Sequence, residues 1–189
     1  MKINIYFIRH ADSPFIFGQE RERPLSEKGK ELAEKLVNSL SEIEFDAVFS
    51  SPYKRAIQTL DGLIEPSKVV IEEGLRERAI KGQYKLPQNE IDVALWKSFE
   101  NIDFCLEGGE SIREAQNRSL PIILDILGNP KFENVAIGTH GNIMTSILNY
   151  FKPSLGYDFW KSTEKPDIYQ VTFDGYHLLA IEKRRFNNT

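Results

Sequence analysis

Apolar residues recur along this chain in two alternating patterns, one typical of buried strands and one typical of amphipathic helices. Residues 3–8 (INIYFI) are almost wholly apolar and rich in β-branched and aromatic side chains, as in a strand covered on both faces of a parallel sheet. From Leu32 to Leu40 the apolar positions return every three or four residues, and Ser26 stands where a helix N-cap is expected. The chain therefore begins with a strand followed by a helix.

The same alternation continues to the end of the chain. Further strands are predicted at 45–49, 69–71 and 135–139, and further helices have apolar faces at 56–64, 115–127 and 143–151. Ser111 is expected to cap the helix at 115–127, which Pro121 should kink or divide. Asp174-Gly175 suits a tight turn, so strands at 168–173 and 177–181 should form a closing hairpin. Strands alternating with helices predict an α/β fold.

Length and composition indicate an ordinary globular chain. The 189 residues are 41% hydrophobic and 28% charged, and we expect a single domain over 1–189. The helical and strand patterns weaken between 78 and 110, where Gly and Pro are frequent, so this segment is interpreted as an insertion or lid over the active site. A formal net charge of -4 argues against a protein that binds nucleic acid through a broad basic face.

The apolar run at 3–8 is too short to direct export or to cross a membrane. It spans six positions, whereas a signal sequence needs about 7–15 apolar residues and a membrane span about 18 or more. We therefore expect a cytoplasmic protein without a membrane partner.

Two of the three histidines occupy equivalent places in the predicted fold. His10 directly follows the first strand, and His140 directly follows the strand at 135–139. Ligands of open α/β sheets bind at the carboxyl ends of the strands, so both imidazoles should lie at one edge of the sheet. The strands at 45–49 and 69–71 direct Arg55 and Glu77 to the same edge.

These residue types suit a phosphoryl group. Arginine makes bidentate contacts with phosphate oxygens, and a helix N-terminus adds N–H donors. Arg9 brings a second guanidinium beside His10, and Gly141 permits close approach of the backbone after His140. A neutral imidazole can attack phosphorus while a nearby carboxylic acid protonates the leaving oxygen.

Other interpretations of these residues have less support in the sequence than a phosphoryl-binding site. Taken singly, each of these histidines and charged residues has an ordinary structural explanation, and only their shared placement at strand ends favours chemistry. Cys105 fails the Cys-x5-Arg phosphatase pattern because Ser111 stands where the arginine is needed. No His-Glu-x-x-His cluster, Walker loop or Gly-x-Gly-x-x-Gly motif occurs, which argues against zinc chemistry and nucleotide folds.

At this point the sequence resembles the histidine phosphatase superfamily, which includes cofactor-dependent phosphoglycerate mutases and many small phosphatases. The resemblance covers most of the chain and rests on short motifs in the family's order. These motifs are Arg9-His10-Ala11, Pro24–Gly29, Ser50–Thr59 (SSPYKRAIQT), Leu75-Arg76-Glu77, Gly109-Glu110-Ser111 and Thr139-His140-Gly141.

The resemblance implies a three-layer α/β/α sandwich with a mostly parallel central sheet, and chemistry without a metal or other cofactor. It also implies that His10 is the phosphorylated nucleophile, that Glu77 is the proton donor, and that Arg9, Arg55 and His140 hold the phosphoryl group.

Departures from the family pattern favour hydrolysis over mutase activity. Ile16 stands where the mutases tend to carry an asparagine that touches phosphate, and residues 77–82 (ERAIKG) lack their Glu-Arg-His-Tyr-Gly run. We therefore expect a phosphomonoesterase of the histidine acid phosphatase type, acting on a small phosphorylated metabolite. The alternatives are a phosphoglycerate mutase and a non-catalytic module that binds phosphate or a phosphoprotein. The oligomeric state stays open, with a homodimer as the commonest soluble assembly.

Overall fold

The computed structural model describes residues 2–186, and its elements alternate as the hydrophobic pattern predicts. The strands of this range are β1 (Lys2–Arg9), β2 (Ala47–Ser50), β3 (Val69–Ile71), β4 (Asn134–Thr139), β5 (Asp167–Asp174) and β6 (His177–Arg184). The α-helices of this range are α1 (Glu27–Asn38), α2 (Lys54–Thr59), α3 (Gln88–Glu100), α4 (Ile112–Gly128), α5 (Gly141–Phe151) and α6 (Tyr157–Ser162).

The strands form one sheet in the order β3-β2-β4-β1-β5-β6. The first four strands of this order are mutually parallel, whereas β5 pairs with both β1 and β6 in antiparallel fashion. The predicted sandwich with a mostly parallel central sheet is confirmed. All four parallel strands end at one edge of the sheet, and β5 begins there, because Arg9 of β1 is paired with Asp167.

Strand β1 shows why its sequence is apolar on both faces. Ile3, Ile5 and Phe7 pack into one buried core, which includes side chains of α4 and α5. Tyr6 and Ile8 pack into a second core on the opposite face, together with residues of α1. Successive side chains of a strand point to opposite faces, so a sheet with helices on both sides needs apolar residues at nearly every position.

Helix capping follows the predicted residues. Ser26 caps α1 by accepting a hydrogen bond from the N–H of Gly29 at 2.9 Å. Ser111 forms a capping box with Glu114 at the start of α4. Both caps use orphan N–H groups of the first turn.

Two predicted helices differ from those observed. Helix α2 ends at Thr59 instead of continuing to 64, because Gly62 adopts a positive φ of 88° that turns the chain. Of the kink or division expected at Pro121, the division is wrong, since α4 runs unbroken through this residue for 17 residues. Pro121 lies on the exposed face, where a carbonyl that loses its N–H partner can bond to water. Within residues 2–186, no helix has the length and apolar character needed to cross a bilayer.

Candidate active site

The end of β1 holds His10 in a defined tautomer. Its backbone N–H donates to the carbonyl of Thr139 at 3.0 Å, which continues the parallel pairing with β4. Its ring Nδ1 lies 2.7 Å from the carbonyl oxygen of Ala11. A carbonyl can only accept, so Nδ1 carries the proton and Nε2 keeps its lone pair. The side chain is buried, and this burial together with the charge of Arg55 places the pKa of His10 well below 6.5. His10 is therefore a neutral imidazole with an unprotonated Nε2.

Arg55, from the first turn of α2, faces that electron pair. Its Nε donates to Nε2 of His10 at 3.2 Å, and its guanidinium carbon lies 4.9 Å from the centre of the Tyr53 ring. The terminal nitrogens contact the carbonyl oxygen and the carboxylate of Glu20. Although the side chain is only 1% exposed, burial lowers the pKa of Arg55 only to about 10, so the group stays cationic at neutral pH.

His140 occupies the N-cap position of α5, beside His10. The two ring centres are 5.2 Å apart, and burial places the pKa of His140 well below 6.5. Its Nε2 lies 2.7 Å from Oγ of Ser51, which accepts from the N–H of Tyr53. A hydroxyl group can donate one hydrogen bond and accept two, so Ser51 can pair with Nε2 in either tautomer of His140.

Arg9 completes the cationic side of the site. One terminal nitrogen donates to the carbonyl oxygen of Thr163 at 2.8 Å and to its hydroxyl. The guanidinium lies so close to the backbone of Gly141 that a Cβ there would stand 2.8 Å from Cζ of Arg9. Burial lowers the pKa of Arg9, while the charges of Glu77 and Asp167 oppose that effect.

Unpartnered polar atoms converge at this place. Among residues 2–186, the buried side-chain nitrogens and oxygens without a hydrogen-bond partner are Nε of Arg9 and Nδ1 of His140. Buried polar groups are almost always paired, and unpaired ones call for an explanation such as a ligand. Nε of Arg9 is an N–H donor, and Nδ1 of His140 is one in the tautomer in which Ser51 donates to Nε2, so the arrangement suits an anion.

Glu77 reaches the same edge through a 3₁₀ turn at Glu73–Leu75 that follows β3. Its Oε1 accepts from the N–H groups of Arg78 at 2.9 Å and Ile143 at 2.8 Å. Its Oε2 accepts from the N–H of Asn142 at 3.3 Å. The carboxyl group is therefore held at the N-terminus of α5, next to His140.

The structure thus brings together all five residues that the sequence placed at this edge, namely Arg9, His10, Arg55, Glu77 and His140. It also adds residues that sequence reasoning missed. Thr59 accepts from the N–H of Ala11 at 3.0 Å and so fixes the turn after β1. Ser51 and Thr59 both lie inside the motif at 50–59, and that motif is the sequence signal that could have identified them. Thr163, which Arg9 contacts, lies in a connection without periodicity, where no signal was present.

Comparison with known proteins agrees with this geometry. A family model for the histidine phosphatase superfamily (branch 1) matches residues 5–181. The chain belongs to that superfamily. The expected membership of this superfamily is confirmed.

A curated relative is the fructose-2,6-bisphosphatase TIGAR of Xenopus tropicalis, which is 28% identical over 124 residues. The match covers 59% of this chain and 45% of the relative, so the chain spans less than half of that protein.

Solved structures of similar fold include a mycobacterial glucosyl-3-phosphoglycerate phosphatase with 19% identity and a TM-score of 0.75, covering 97% of both chains. Another is a phosphoserine phosphatase from Entamoeba histolytica with 18% identity and a TM-score of 0.76, covering 98% of this chain and 96% of the other. At these identities the likeness concerns the fold.

Proposed function

We propose that this protein hydrolyses phosphate monoesters without a metal ion, through a phosphohistidine at His10, as a phosphatase of the histidine acid type. The observation that carries the proposal is the state of His10: a neutral imidazole with an unprotonated Nε2, which Arg55 contacts at 3.2 Å and beside which the ring of His140 lies at 5.2 Å. A nucleophile thus stands next to cationic and polar groups that can bind the phosphoryl oxygens.

The first step forms a bond from Nε2 of His10 to phosphorus and breaks the bond to the leaving oxygen. Arg55 then contacts a phosphoryl oxygen instead of Nε2, and Arg9 and His140 stabilise the remaining charge. Glu77, entering this step protonated, gives its proton to the leaving oxygen. In the second step water attacks phosphorus, Glu77 takes a proton from that water, and the bond to Nε2 breaks.

Metal independence is supported by the donor set as well as by the histidine geometry. Among the described residues, no three His, Cys, Asp or Glu side chains form a group that could hold a metal ion. The positive charge that a metal would supply to the phosphoryl oxygens is here supplied by Arg9 and Arg55.

A small phosphorylated metabolite is the proposed substrate. The similar proteins named above are described as phosphatases of a sugar bisphosphate, a glucosyl phosphoglycerate and phosphoserine, all of them small phosphate esters. Cytoplasmic location, a lid at 78–110 and a homodimer stay predictions from the sequence.

The experiment measures p-nitrophenyl phosphate hydrolysis in excess EDTA beside phosphoglycerate mutase activity with added bisphosphoglycerate, using His10→Ala as the blank. The proposal predicts phosphate release that resists EDTA and is lost in His10→Ala. Mutase turnover exceeding hydrolysis would contradict it in favour of a mutase. Phosphate binding without turnover by folded protein would contradict it in favour of a binding module.

A second experiment tests the role of Glu77. Glu77→Gln should lower kcat/KM for phenyl phosphate by about 10²–10⁴-fold and lower it much less for p-nitrophenyl phosphate, whose leaving group hardly needs a proton. Equal losses on both esters would refute the assignment of Glu77 as the proton donor.

A further inference from the structure

A buried cation lies directly behind Glu77 without a carboxylate partner. The side chain of Arg78 is buried, at 3% exposure, and within residues 2–186 no carboxylate oxygen lies within 4.0 Å of its nitrogens. Burial lowers the pKa of Arg78 to about 10, so the group is charged at neutral pH. Burying a charge whose hydrogen-bond partners are all neutral is costly, and the nearest opposing charges are the carboxylates of Glu77 and Glu110, which act from beyond hydrogen-bond distance.

All three neutral acceptors of Arg78 are fixed by different parts of the chain. Its Nε donates to Oδ1 of Asn142 at 2.8 Å, in the first turn of α5. One terminal nitrogen donates to the carbonyl oxygen of Glu110 at 3.1 Å, just before α4. The other donates to Oγ of Ser98 at 2.8 Å, in α3. The guanidinium therefore has a defined position, with each of its three nitrogens making one hydrogen bond.

Arg78 and Asn142 also hold Glu77 directly. The backbone N–H of Arg78 donates to one carboxyl oxygen of Glu77, and the backbone N–H of Asn142 donates to the other. The side chains of Arg78 and Asn142 then bond to each other. These contacts close a ring of three residues in which the carboxyl group of Glu77 is one member.

We propose that Arg78 and Asn142 are positioning residues for the proton donor Glu77, and that Asn142 keeps the guanidinium of Arg78 away from the Glu77 carboxyl group. This inference rests on the proposed function. Without Oδ1 of Asn142, Nε–H of Arg78 loses its acceptor, and Glu77 is the carboxylate that acts most strongly on Arg78. A direct Arg-carboxylate pair would favour the charged form of Glu77 and remove the proton that it must donate.

The test compares Asn142→Ala with Ser98→Ala, because each variant removes one acceptor of the same guanidinium. Only Asn142 lies in the ring that contains Glu77. The substrates are phenyl phosphate and p-nitrophenyl phosphate, which have similar shape but differ in their need for a proton. Each variant is also made in the Glu77→Gln background.

Asn142→Ala should lower kcat/KM for phenyl phosphate by about tenfold relative to p-nitrophenyl phosphate, a part of the whole effect of a general acid. Ser98→Ala should change both substrates by the same factor. The selective effect of Asn142→Ala should vanish in Glu77→Gln, because no proton donor remains to be misplaced. Should Asn142→Ala fail to fold, Asn142→Leu, which is similar in size and also lacks the acceptor for Arg78, replaces it with the same expected selectivity.

Equal losses on both esters, or a selective loss that persists in Glu77→Gln, would overturn the positioning role while leaving the proposed function intact. Absence of any His10-dependent hydrolysis by the wild-type protein would instead overturn the proposed function, and the positioning role with it.

Discussion

The contact between Arg9 and Gly141 allows activity and stability to be separated with one methyl group. In Gly141→Ala the new Cβ would stand 2.8 Å from Cζ, 2.9 Å from Nε and 3.1 Å from a terminal nitrogen of Arg9. Non-bonded carbon atoms prefer about 3.5–4.0 Å, so the guanidinium must move by roughly 0.7 Å or more. Arg9 would then lose its alignment with the phosphoryl group.

The expected loss corresponds to one charge-assisted hydrogen bond. Such a bond contributes about 1.5–3 kcal/mol, so kcat/KM for p-nitrophenyl phosphate should fall roughly 10- to 150-fold. The fold should tolerate the change, because the atoms that must move are the end of the flexible Arg9 side chain rather than backbone and Gly141 is the first residue of α5.

The assay is steady-state hydrolysis together with urea denaturation of the same preparations. Gly128→Ala is the matched control, since it lies at the end of α4 and its Cβ would meet only the hydroxyl of Tyr176 at 3.0 Å. Full activity in Gly141→Ala would refute the role of Arg9, and a loss of stability as large as the loss of activity would show that the methyl group acts through folding.

Three further predictions follow from contacts around the site. Gly29→Ala should lower the free energy of unfolding by about 1–3 kcal/mol in urea denaturation, because its Cβ would stand 2.2 Å from the carbonyl oxygen of Asp12; unchanged stability would contradict this. Ser51→Ala should lower kcat/KM about tenfold by freeing the ring of His140, and unaltered kinetics would rule out that contact as functional. Burial lowers the pKa values of His10 and His140 below 6.5 in the folded protein, so the unfolded chain binds more protons in mild acid. The stability of the folded protein is therefore greatest above about pH 6.5 as far as these two groups are concerned, and it should be lost as the pH falls. Urea denaturation at about pH 7.5 and about pH 5.5 checks this, with a smaller difference expected in His10→Ala.

The layered fold and the placement of the two histidines could be predicted because each depends on local pattern. The apolar run at 3–8 required a strand covered on both faces, and cores on both sides of β1 are observed. His10 and His140 directly follow parallel strands, so their proximity is a consequence of sheet topology. Errors arose where one residue overrides a periodic pattern, as Gly62 does by ending the helical pattern early.

Contacts between distant loops could not be predicted. Arg78 stands among charged residues in the sequence, a setting typical of exposed side chains, yet it is buried and bonded to three separate parts of the chain. Similarly, the connection before β5 carries Thr163 to Arg9 because β5 is antiparallel to β1 and starts at the site. Such contacts depend on the arrangement of whole elements, which periodicity along the chain does not encode.

The proposed mechanism depends most on the covalent step, which can be observed directly. Enzyme mixed with p-nitrophenyl phosphate in EDTA is quenched in alkali within the first turnover, digested, and analysed by mass spectrometry for an acid-labile phosphate. The proposed mechanism predicts that one residue, His10, is phosphorylated and that the phosphohistidine accumulates before the steady state. The same phosphate should be absent from His10→Ala. Turnover without any phosphohistidine, or phosphate attached to a different residue, would contradict it.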